Sequence, residues 1–188
     1  MSGVGEALRS SAVVNLSKAV VMVVDDEPFS LALTVQSLSG FGAQTKFACA
    51  NAAEALNILK DEIVDLMVID CEMPEVDGYD LVKQLRSAKN EPNSYVPVIM
   101  TAGHVKKSKV HKARDCGANF LVTKPFSPAT LLERIVWAAR DSRPFLQAGD
   151  YFGPDRRFRD DGPPSSGERR WNGSSATTSA EPKTGNPS

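Results

Sequence analysis

Short apolar runs alternate with helical stretches from about Lys18 to Arg140, and that alternation leaves the chain few folds to choose from. Ala19 to Val24 is β-branched and apolar, and Asp25-Asp26-Glu27-Pro28 stops it. Leu66 to Ile69 has no polar alternation, as expected of a strand buried on both faces, and breaks off in Asp70 and a Pro-Gly turn. Tyr95 to Met100 ends in Thr101-Ala102-Gly103, and Phe120 to Thr123 ends in Lys124-Pro125. A fifth, more polar run, Gln44 to Ala48, suits a sheet edge. Pro97 within the fourth run warns against full ladder pairing there.

Helical spacing fills the intervals. Pro28 opens a helix carrying Leu31, Val35 and Leu38, and Gly40 and Gly42 close it. Asn51 caps a second, with Ala52, Ala55, Leu56 and Leu59 on one face. Gly78 leads into a third with Leu81, Val82 and Leu85. A basic fourth spans Val105 to Cys116, with Val110 and Ala113 left for the core side and Gly117 as its stop. Ser127 caps the fifth, striped by Leu131, Leu132, Ile135 and Val136. Five strands alternating with five helices predict a doubly wound α/β domain: a parallel sheet, helices on both faces, right-handed crossovers.

Residues 1–18 read as a loose lead-in and 19–140 as the domain. From Asp141 the composition turns to Pro, Gly, Ser, Asp and Arg, so 141–188 is expected to be mostly disordered. That tail contains an echo: Asp155-Arg156-Arg157-Phe158 and Glu168-Arg169-Arg170-Trp171 both read acid-Arg-Arg-aromatic, as a docking motif or a coincidence of an Arg-rich segment would. A net charge of -1 gives no global pull towards nucleic acid or membrane. No apolar run is long enough to span a bilayer or to form a signal-peptide core. Cys49, Cys71 and Cys116 are unpaired in spacing, which points to small buried hydrophobes in a reducing cytoplasm. Gly40-Phe41-Gly42 follows a helix rather than a strand, so it is no dinucleotide site.

The strand ends carry the chemistry. In a parallel sheet, Asp25, Asp26, Asp70, Thr101 and Lys124 all fall on one rim, where ligands bind in such folds. Three carboxylates there repel unless a cation lies among them, and a hard divalent ion such as Mg²⁺ suits oxygen ligands. A hydroxyl and a lysine beside it make an anion site. The combination describes phosphoryl transfer to an aspartate, with Asp70 as nucleophile.

These same residues resemble the receiver domain of bacterial two-component response regulators. The carriers are Val20 to Glu27, Asp70 with Met73-Pro74 and Asp77-Gly78, Thr101-Ala102, and Gly117-Ala118 with Lys124-Pro125-Phe126, over about two thirds of the chain. The resemblance implies a flavodoxin-like fold with strand order 2-1-3-4-5. It implies that Asp70 accepts a phosphoryl group from a histidine kinase or a histidine phosphotransfer protein. Mg²⁺ would be held by Asp26, Asp70 and the backbone carbonyl of Glu72, with Asp25 acting through water. Thr101 and Lys124 would hold the phosphoryl group, small Ala102 would leave the entrance open, and the Lys124-Pro125 bond is expected to be cis. Where the family usually carries Tyr or Phe, three residues before the lysine, this chain has Leu121, with Phe120 one place earlier. A weaker or different response of the surface made by the fourth helix, fifth strand and fifth helix is therefore expected.

The function expected is a signalling switch acting through a downstream protein partner, without a DNA-binding output domain, with a homodimer among the assemblies open to it. The alternatives are a phosphorelay intermediate or phosphate sink, and a phosphatase of the haloacid dehalogenase type. The last places its nucleophile on the first strand, the reverse of the order here. Nucleic-acid binding through the basic helix and Arg-rich tail lacks a stacking motif, and the tail's acids offset its arginines. The basic helix (Lys106, Lys107, Lys109, His111, Lys112, Arg114) reads as a solvated face before an acidic-partner surface, and His104 and His111 as surface residues.

Overall fold

Five strands form within the apolar runs, and most helix starts have a local cause. The computed structural model describes residues 16–87, 90–104 and 106–156. Five parallel strands, β1 (Val20–Val24), β2 (Thr45–Cys49), β3 (Leu66–Asp70), β4 (Val98–Ala102) and β5 (Phe120–Thr123), form one sheet in the order β2-β1-β3-β4-β5. The polar run is thus an edge, and the two most apolar runs, β1 and β3, lie inside. Helices α1 (Pro28–Gly40), α2 (Ala52–Ile58), α3 (Gly78–Leu85), α4 (Lys107–Cys116) and α5 (Pro128–Ala139) connect them. The caps satisfy amides that helix ends leave unpaired. Glu27 accepts from the Phe29 and Ser30 amides, Asn51 from Glu54, Asp77 from Asp80 and Ser127 from Thr130.

Two cores cover the two faces of the sheet. Met22, Met67, Ile69 and Met100 face Ala55, Leu81, Leu85 and Cys116 of α2, α3 and α4. Val21, Val68, Ile99 and Val122 face Leu38, Leu131 and Ile135 of α1 and α5. Successive side chains of a strand point to opposite faces. Leu121 therefore packs on the α2–α4 core, while Phe120 packs on the other and stacks at 6.0 Å on Trp137. The one-residue offset puts this aromatic on the wrong face to replace the one that Leu121 lacks.

Three expectations need correction. The fourth strand begins at Val98, not Tyr95; Asn93–Tyr95 is a 3₁₀ turn, and Pro97, outside the strand, contributes its carbonyl to the Met67 amide. Val110 is 47% exposed, so only Ala113 and Cys116 of α4 are buried. Most importantly, the expected disorder does not extend over 141–156. Phe145–Ala148 (β6) and Tyr151–Pro154 (β7) form an antiparallel hairpin, turning at Gly149 with φ +58°. Its Phe145 and Phe152 rings meet Tyr95 at 5.3 and 5.1 Å, so the tail's aromatics cover the partly exposed tyrosine that precedes β4. The lead-in 1–15, the remainder of the tail 157–188 and the second acid-Arg-Arg-aromatic copy lie outside the described residues. All three cysteines are buried and free, and no helix among the described residues is long and apolar enough to cross a membrane.

Candidate functional site

The rim where β1, β3, β4 and β5 end brings the polar strand ends together. Asp25 follows β1, Asp70 closes β3, Thr101 lies in β4 and Lys124 follows β5. Ladder register sets this meeting: Asp70 pairs with Thr101, and Lys124 is fixed by its amide bonding the Ala102 carbonyl at 2.8 Å. The Lys124 ammonium then donates to Asp25 Oδ2 at 2.7 Å and Asp70 Oδ1 at 2.5 Å. Thr101 Oγ1 lies 3.4 Å from the same Asp70 oxygen, a long contact that leaves the hydroxyl able to turn elsewhere. The other oxygen, Asp70 Oδ2, accepts from the Glu72 amide at 2.7 Å. Asp70 is thus oriented by donors from three directions.

Electrostatics decides what such a rim can do. Asp25 and Asp70 are 3% and 6% exposed, and one ammonium faces two carboxylates, with exposed Asp26 adjacent. Burial alone would pull Lys124 down, but the hydrogen bonds it donates to Asp25 and Asp70 outweigh it and hold the ammonium above the usual lysine value. Lys124 stays charged, and the rim keeps an excess of negative charge. Cys71, the next residue after Asp70, is no rival nucleophile: burial pushes its thiol up to about 12.

Glycine is required where the loop after β3 turns back. A Cβ on Gly78 would collide with the Asp70 carbonyl oxygen, and the Gly78 amide donates to the Cys71 carbonyl at 3.1 Å. The Lys124-Pro125 bond is cis, as expected. Two participants were missed in the sequence. Ser30 Oγ donates to Asp25 Oδ2 at 2.6 Å, one turn into α1. Lys109 of α4, read as part of a solvated face, reaches Glu72 at 2.7 Å and holds its carboxyl below the usual range. Ser30 sits on the polar side of α1 and could have been found from its spacing to Asp25. No sequence signal pairs Lys109 with Glu72.

Residues 21–136, more than half of the chain, match the response regulator receiver domain. The chain belongs to this family. Its receiver is 31% identical over 116 residues to a chemotaxis protein CheY homolog of Campylobacter jejuni, covering 61% of this chain and 88% of that one. It is 33% identical over 117 residues to the response regulator SaeR of Staphylococcus aureus, covering 61% of this chain but 48% of SaeR. The same module thus makes up most of one relative and half of another. A solved putative response regulator from Chloroflexus aurantiacus superimposes with a TM-score of 0.60 at 26% identity, covering 65% of this chain and 98% of that one. The family is a signalling one.

The oxygen-rich receiver rim fits a hard divalent cation. Among the described residues no three His, Cys, Asp or Glu side chains cluster closely enough to hold a metal by themselves. That is compatible with Mg²⁺, which takes one or two carboxylates and completes its shell with carbonyl and water oxygens. Asp70 and exposed Asp26 would supply carboxylates and Glu72 its carbonyl, its amide being engaged on Asp70.

Proposed function

We propose that this receiver is a phosphoacceptor switch: Asp70 takes a phosphoryl group from the phosphohistidine of a sensor kinase or a histidine phosphotransfer protein. The observation that carries this reading is the convergence of Lys124 on Asp25 and Asp70 at the rim, with Thr101 beside them. In the transfer the phosphorus–nitrogen bond of the donor breaks and a bond from an Asp70 carboxylate oxygen to phosphorus forms. The freed imidazole leaves with the electron pair and takes a proton from solvent. Glu72 N–H and Lys124 orient the carboxylate beforehand, and Lys124 can pair with the arriving phosphoryl oxygens. The Thr101 hydroxyl, only loosely engaged, is free to bond the new phosphoryl group. Mg²⁺, held by Asp26, Asp70 and the Glu72 carbonyl with Asp25 through water, would supply charge neutralisation on that group.

The donor docks beside the rim. Phe29 and Leu33 on α1 are 70% and 48% exposed and one turn apart, an apolar patch next to the loop that carries Asp25. Signal leaves by protein contact, and the three free, buried thiols suit action in the cytoplasm. Labelling by a phosphohistidine donor decides the matter. The wild-type chain should take up label that is lost in Asp70→Asn and on chelation of divalent ions. Equal labelling of the two proteins would sink the proposal.

A further inference from the structure

Helix α4 is a poorly anchored element. Only Ala113 and Cys116 are buried, Val110 is exposed, and its N-cap, Lys106, makes no side-chain cap bond. A helix without a packed apolar face takes its position from what grips its ends. Both ends are gripped. Near the front, Lys109 pairs at 2.7 Å with Glu72, whose amide holds Asp70 Oδ2. At the rear, the grip is the β6–β7 hairpin, which lies outside the residues 21–136 shared with the family.

The rear grip is close and chemically specific. Backbones of Gly117, which caps α4, and Gly153 of β7 touch: a Cβ on Gly153 would lie 2.8 Å from Gly117 Cα, and one on Gly117 would lie 2.6 Å from the Phe152 carbonyl oxygen. Arg156 donates to Asp115 Oδ1 at 3.0 Å and to the Asp115 carbonyl at 3.2 Å, and stacks 3.4 Å over Tyr151. Beneath them Arg86 donates to the Gly117 carbonyl while its guanidinium lies 5.0 Å from the Phe145 ring.

We propose that the hairpin is a rear anchor for α4 that keeps Lys109 on Glu72 and so positions the main chain holding Asp70. The first acid-Arg-Arg-aromatic copy then has a role through Arg156, as part of the anchor. The anchoring itself needs only the contacts above; its effect on phosphoryl lifetime rests on the proposal that Asp70 is the phosphoacceptor.

Amide NMR on the full chain tests it, with Gly153→Ala to pry the hairpin from Gly117, Arg156→Ala as a milder change, and Arg156→Lys as rescue. The Glu72 amide should shift in both disrupting variants in the direction Lys109→Ala moves it, return in Arg156→Lys, and move little further when Gly153→Ala is added to Lys109→Ala. The lifetime of the phosphorylated protein should change by roughly three- to tenfold. Shifts at Asp115 and Gly117 with an unmoved Glu72 amide in both Gly153→Ala and Arg156→Ala would overturn the anchor. An unlabelled wild-type chain would overturn the phosphoacceptor reading, and the Glu72 amide would still decide the anchor.

Discussion

Half-buried Lys124 and buried Arg86 are cations at opposite rims of one sheet, and they are answered differently. Lys124 faces two carboxylates, and its ammonium is held above the usual lysine value against the pull of burial. Arg86 is 3% exposed and finds only neutral oxygens: the carbonyls of Ser94, Val96 and Gly117, and at 3.5 Å the Asn119 side-chain oxygen. Burial there brings the guanidinium down to about 10. Burial acts in the same direction on both, so the partner chemistry decides the outcome. Paired carboxylates leave a charge that can be shared with an arriving anion. Carbonyl dipoles take four of the guanidinium's bonds on fixed backbone and make a pin. The front is built for exchange and the rear for permanence.

Crossed substitutions break or sharpen that contrast. The largest effect expected is loss of labelling to background in Asp70→Asn with the fold intact, read by phosphotransfer and circular dichroism. Arg86→Met should do the opposite. Three carbonyls lose their donor, at about 1–3 kcal/mol for each left unsatisfied after partial rescue by water. A total near ~3 kcal/mol should appear in urea unfolding, while the folded fraction still accepts label. If Arg86→Met lost labelling without losing stability, the assignment of a pin would be wrong.

Phe145→Ala tests the hairpin's share of the rear. The ring is half-buried between Tyr95, Phe152 and Arg86, so about 2 kcal/mol, below the range for a fully buried phenylalanine, should be lost. An unchanged urea midpoint would mean that the hairpin adds nothing to the domain. The smallest effect is one of pH. Lys124 is raised in the folded state, so its contribution is complete below the unfolded lysine value, about 10.4, and fades as pH climbs through the folded one. Wild type should therefore lose stability relative to Lys124→Met as pH rises above about 10. A constant difference across that range would remove the ion pair from the account of stability.

What could be read in the residues and what could not divides along the same line. Strand runs, helix caps at Asn51 and Ser127 and the meeting of Asp25, Asp70, Thr101 and Lys124 at one rim were legible because each rests on local pattern, and a parallel sheet sends all strand ends to one side. The hairpin was missed because composition is an average: Pro, Gly and Arg concealed Phe145, Tyr151 and Phe152, whose burial needs Tyr95 and Arg86 from distant sequence. Val110 was misread because periodicity tells which residues share a face, not whether that face meets the sheet.

By itself, then, the sequence determined the α/β fold and the gathering of Asp25, Asp70, Thr101 and Lys124 at one rim, since short-range periodicity and strand polarity are enough to place those groups. Only the tertiary structure decided that Lys109 holds Glu72, that Arg86 is spent on carbonyls, and that residues 145–154 fold back on Gly117. Each of those depends on which surfaces remain uncovered once the sheet has closed, and no local pattern carries that information.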